Sequence, residues 1–103
     1  MHKGFAITGL LAAGIAVLGL VTAQDKTPYI GLITKTESNP FFVKMKEGAQ
    51  KEAQALGAKF ISAAGKTDGD NAGQVAAIEN MVAAGVNTIL ITPSDARAIV
   101  PAI

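Results

Sequence analysis

The chain has 103 residues, half of them hydrophobic, with no cysteine and a single histidine. That length allows one small domain, and the missing thiols exclude disulfides, thiolate metal sites, a cysteine nucleophile and a lipid-anchoring cysteine. Nine Lys and Arg face eight Asp and Glu; once Lys3 is set aside with the leader described next, the charges balance, without the basic excess that nucleic-acid binding needs.

His2 and Lys3 give the chain a positive start, and Phe5 to Val21 is apolar apart from Thr8. Val21, Thr22 and Ala23 then offer small side chains at cleavage-site spacing, so residues 1–23 read as a signal peptide cut after Ala23. The run falls just short of the ~20 residues of a membrane span, and its regular glycines weaken a permanent one. Removal of His2 with the leader leaves no histidine for catalysis.

From Pro28 the mature segment, residues 24–103, alternates between two patterns. Tyr29 to Thr34 is nearly continuously apolar and predicts a strand buried on both faces. Asn39-Pro40 places a cap before a first-turn proline and predicts a helix whose apolar stripe runs through Phe42, Met45, Ala49, Ala53 and Leu56, stopped by Gly57. Lys59 to Ala64 predicts a second strand, and a polar loop from Gly65 to Asn71 leads to a second helix. Asp70 or Asn71 would cap that helix, Val75, Ile78 and Val82 would line its buried face, and Gly85 would end it. Thr88 to Thr92 is the third predicted strand. Ser94 or Asp95 can cap a third helix through Ala96, Ile99 and Val100, which Pro101 would kink.

A spacing of about 30 residues between strand starts matches βαβ units. Right-handed crossovers then give a Rossmann-like parallel α/β sheet of order 2-1-3, with one helix on each face. The loops Lys35 to Asn39, Gly65 to Asn71 and Pro93 to Asp95 would share the carboxyl rim, where open α/β sheets bind ligands.

Several motifs on these loops have a bland reading beside a chemical one. Gly65-Lys66-Thr67 resembles the end of a phosphate loop, but the glycine required five positions earlier is Phe60. Asp68, Asp70, Gly73 and Glu79 occupy positions 1, 3, 6 and 12 of a calcium loop, but Ala72 stands where a third side-chain oxygen belongs, so a turn with a helix cap is the expected role and no metal or cofactor is assigned. The segment Thr34 to Phe42 is more informative. Adjacent helical residues point about 100° apart, so Phe41 and Phe42 cannot both join the core stripe. An exposed ring beside hydroxyls and an amide suits a sugar, whose C–H faces are apolar and whose hydroxyls need partners. Equally, Phe41 could staple the helix start while Asn39 merely caps it.

The leader, Ile30-Gly31-Leu32-Ile33, Asn39-Pro40-Phe41-Phe42, Met45-Lys46-Glu47-Gly48-Ala49 and Ile89 through Asp95 resemble, in this order, the ribose- and fructose-type periplasmic sugar-binding proteins of ATP-binding-cassette importers. The resemblance implies a type I periplasmic binding protein fold of two lobes that close on a monosaccharide, of which this chain holds an incomplete N-terminal lobe. It implies Asn39 as a hydrogen-bond partner of sugar hydroxyls, Phe41 and Phe42 as stacking surfaces, and Lys35 as a cleft-lining group; Ser94 and Asp95 would lie near the cleft but serve as caps. The Lys35 to Phe42 form leans toward a ketohexose such as fructose rather than ribose.

The implied partners are the sugar and a membrane permease, with a monomeric full-length protein in the periplasm, no enzyme chemistry and no nucleic acid. Relatives carry an Asp-Arg pair and further ligands beyond the position of Ile103, so this segment alone is expected to bind sugar very weakly or not at all. Its third strand, an open edge, is expected to favour aggregation or disorder.

Other classes fit less well. A sugar-responsive repressor of the LacI type would carry a DNA-binding helical module where the apolar leader stands. A receiver-type or other flavodoxin-like domain would end its first strand in clustered acids rather than Thr34 and Lys35. A sugar receptor that signals to a chemoreceptor would have the same residues as one used for transport.

Overall fold

The computed structural model describes residues 26–103; the leader and the expected cut after Ala23 lie outside the described residues. Three parallel strands, β1 (Tyr29–Thr34), β2 (Lys59–Ala64) and β3 (Thr88–Ile91), form a sheet of order β2-β1-β3. The predicted 2-1-3 topology is the observed one. Helix α1 (Pro40–Ala55) joins β1 to β2 and helix α2 (Asn71–Ala84) joins β2 to β3.

Register follows from β1, the central strand. Gly31 pairs with Ile61 and Ile89, and Ile33 with Ala63 and Ile91. Alternation along a strand puts these residues on one face, where Ile33, Ala77, Ile78, Met81 and Ile99 form the core cluster with Ile61, Ala63, Ile89 and Ile91 packed against it. Gly31 is required there: a Cβ on it would run into the Met81 sulfur. Leu32, 4% exposed, points to the other face, which α1 covers with Phe42 and Ala53. The predicted placement of one helix on each face therefore holds.

Local signals fix the element ends. Asn39 caps α1 and Pro40 opens it, where a missing N–H costs nothing. Gly57 (φ +71°) and Gly85 (φ +87°) take the left-handed conformation past α1 and α2. At the amino edge of the sheet, Tyr29 and Asn87 exchange hydrogen bonds: the Tyr29 N–H donates to Asn87 Oδ1 (3.1 Å) and the Asn87 N–H to the Tyr29 carbonyl (3.0 Å).

Three expectations need correction. Leu56 is the C-cap of α1 and 71% exposed; the helix stops one residue short of it, so the buried stripe ends at Ala53. The buried face of α2 is Gln74, Ala77, Ile78 and Met81, while Val82 is 65% exposed. Gly31 draws the stripe toward Met81, and Val82 turns to the margin of β3, where it lines a groove with Val86 and Ile89. In place of a third helix, residues 96–99 form a turn followed by a 3₁₀ segment, Val100–Ala102. Pro101 has no N–H to continue an α-helical ladder, and Ile99, 2% exposed, is tucked under α2.

Candidate functional site

The carboxyl ends of the strands carry the chemistry, beginning at Thr34. Its hydroxyl donates to the Thr36 carbonyl (3.0 Å), and the Thr36 hydroxyl accepts from the Asn39 N–H (3.3 Å). Both threonines are buried. Asn39 Oδ1 in turn accepts from the Phe41 N–H (2.9 Å), and the Asn39 carbonyl accepts from Phe42 and Val43. Side chain and backbone thus hold the β1–α1 loop from strand to helix.

This loop separates the two rings. Phe42 is 7% exposed and packed beneath α1, while Phe41 is 63% exposed. Their centroids lie 5.1 Å apart with planes at 75°, an edge-to-face contact. The requirement that at least one ring leave the core stripe is met by Phe41; of the two rings expected as stacking surfaces, Phe42 faces inward. Beside Phe42 runs a groove of ≈ 320 Å³ bordered by Thr36, Glu37, Lys46, Gln50 and Ser62. A second, shallow depression of ≈ 550 Å³ lies where Glu37 and Ser38 face residues 62–66. Lys35 is half-buried at the head of the loop. Its carbonyl would lie 2.9 Å from a Cβ on Gly65, so the glycine lets the first two rim loops touch.

The β2–α2 loop is organised by Asp70. Its carboxylate accepts from the Lys66 N–H and the Gly73 N–H, each at 2.9 Å, and these bonds hold its pKa below the ordinary 3.8. The carboxylate expected either to cap or to bind calcium is thus engaged as a cap. Among the described residues no three acidic or histidine side chains are grouped as a metal would require. After β3, Asp95 caps the turn through the N–H groups of Arg97 and Ala98, which likewise lower its pKa. Ser94 caps nothing: its hydroxyl is buried without a partner, and its N–H donates to Gln74.

The apolar pattern of α2 does not single out Gln74. It is fully buried, its Nε2 donating to the carbonyls of Thr34 (3.1 Å) and Thr92 (2.9 Å) while Oε1 accepts from the Ser94 N–H (2.8 Å). The available signal was a single amide in the i, i+3, i+4, i+7 stripe of α2, one turn from the rim. Ranking positions by hydrophobicity passes over it.

Residues 30–103 match the family model described as a periplasmic binding protein domain. The chain is similar to the ribose import binding protein RbsB of Haemophilus influenzae, 37% identical over 99 residues that cover 96% of this chain and 32% of that protein. It is also similar to the D-ribose/D-allose-binding protein of Pseudomonas aeruginosa, 32% identical over 99 residues, 91% of this chain and 31% of that one. Among solved structures, an ABC transporter periplasmic solute binding protein from Actinobacillus succinogenes with bound D-allose superposes with a TM-score of 0.68 and 34% identity, over 74% of this chain and 27% of that chain. The chain therefore spans about a third of the length of the relatives it matches. With its topology and its sequence in agreement, the chain belongs to the periplasmic binding protein domain family.

Proposed function

We propose that this chain supplies part of the substrate-binding component of an ABC-type sugar importer in the periplasm, where it binds a monosaccharide for a membrane permease without making or breaking a bond. Residues 24–103 form an incomplete N-terminal lobe behind a cleaved leader. The observation that carries this reading is the Phe41 ring, exposed on the carboxyl rim and adjacent to the Asn39 amide. Asn39 Oδ1 is engaged by the helix, which leaves Nδ2 to donate to a sugar hydroxyl. Phe41 offers an apolar face to the sugar's C–H groups, Phe42 supports that ring from below, and Lys35 lines the approach. Similarity to proteins named for ribose and allose supports an aldose, and the Lys35 to Phe42 form keeps fructose among the sugars to test.

The second lobe of the clamp would lie beyond these residues, so the segment's own affinity is weak. Backbone NMR of the 103-residue chain, titrated with D-ribose, D-allose and D-fructose to roughly 100 mM, reaches affinities well weaker than millimolar. Shifts confined to the amides of Lys35, Asn39, Phe41 and the facing residues 64–66 are expected, without a calorimetric signal at millimolar sugar. Shifts scattered over the surface would overturn the proposal, and a clear calorimetric signal at millimolar sugar would overturn the weakness expected of the segment alone.

A further inference from the structure

In an open sheet of this order the crevice between the carboxyl ends of β1 and β3 is the topological switch point, where ligands ordinarily descend between the strands. Here it is occupied. The Gln74 side chain, fully buried, spans it with hydrogen bonds to Thr34, Thr92 and Ser94. From Thr34 the contacts continue through the Thr36 carbonyl and hydroxyl to the Asn39 N–H, and from Asn39 Oδ1 to the Phe41 N–H.

We infer that Gln74 is a positioning residue of the proposed sugar site: its amide plugs the switch-point crevice, keeping the ligand on the rim above, and sets through Thr34 and Thr36 where Asn39 and Phe41 stand. This rests on the sugar-binding reading for its purpose but on hydrogen bonds alone for its mechanism. The two functions of the amide are separable. Oε1 holds Ser94 in the loop after β3, whereas Nε2 ties Thr92 of that loop to the end of β1 and the relay leading from it.

Hydrogen exchange and sugar titration of the 103-residue chain and its variants test this. Gln74→Glu keeps an acceptor for Ser94 but loses the donor, so exchange at Asn39 and Phe41 should quicken by roughly tenfold, the scale of one net hydrogen bond, while Ser94 stays protected. Gln74→Met should release all three amides. Neither should change exchange at Lys59 or Val86, whose bonds to Pro28 and Met81 lie at the opposite edge. Should the Gln74 variants fail to fold, Thr36→Val cuts the relay alone: exchange at Asn39 and Phe41 should rise with Ser94 unchanged, and any sugar-induced shift at Phe41 should disappear. Equal acceleration at both edges, or unchanged exchange at Asn39 and Phe41 in Gln74→Glu and Thr36→Val, would overturn the inference. A wild-type chain whose sugar shifts scatter over the surface would instead remove the sugar reading, and the exchange comparison would still decide whether Gln74 controls the rim.

Discussion

On the α2 side of the sheet, Ile33, Ala77, Ile78, Met81 and Ile99 are each no more than 7% exposed and close around a strand glycine that leaves no room for a methyl. On the α1 side, Leu32, Phe42 and Ala53 are buried as well, but beside a groove of ≈ 320 Å³ edged with Thr36, Glu37, Lys46 and Gln50, and Leu90 of β3 is half exposed. Consecutive residues of one strand thus face surroundings of different tightness. A close-packed face anchors the strands, which frees the other to support a rim with open polar and aromatic groups.

The sharpest way to break this contrast is to truncate two neighbours on β1. Ile33→Ala should cost about 4 kcal/mol and Leu32→Ala nearer 2 kcal/mol, the upper and lower parts of the range for buried aliphatics, because the α1 side can relax into its groove. Denaturant midpoints of the two variants measure this, and equal losses would show the faces equally rigid. Next in size, Asn39→Ala removes the cap of α1 and should lower stability by about 1 kcal/mol while abolishing any sugar-induced shift at Phe41. A stability loss with the sugar response intact would make Asn39 a cap alone.

The smallest effect expected is that of acid. Asp70 and Asp95 have folded pKa values below the ordinary 3.8, so their contribution is complete above that value and is lost as pH falls through the lower folded values. Melting temperature should decline below about pH 4, and Asp70→Asn should flatten part of the decline. Both carboxylates are at the surface, so the change is modest.

The contrast between the faces also explains what could be read from the chain. Strand runs, the Asn39-Pro40 start and the glycine stops are local signals, written within a few residues, and they placed five elements and the sheet order. The rim was legible for the same reason, since Asn39, Phe41 and Phe42 sit at one strand-to-helix junction. Which ring would turn outward depended on the orientation of α1 over Leu32 and β2, a property of packing. The stripe of α2 departs from the apolar pattern at Val82 because Gln74, polar and fully buried, satisfies three groups, one at the end of β1 and two in the loop after β3, all distant in sequence. No window along the chain contains those partners. The sequence predicts a third helix kinked at Pro101, and the chain there makes only a turn and a short 3₁₀ segment.

The edge-to-face contact of Phe41 with Phe42 has a thermodynamic corollary. An exposed phenylalanine normally samples several rotamers and must surrender them when a partner lands on it, at about 0.5–1.5 kcal/mol for a fully immobilised side chain. With its neighbour wedged in the interior as a fixed post, part of that torsional freedom is already relinquished when the polypeptide collapses. Whatever settles on the outer ring meets a platform already set.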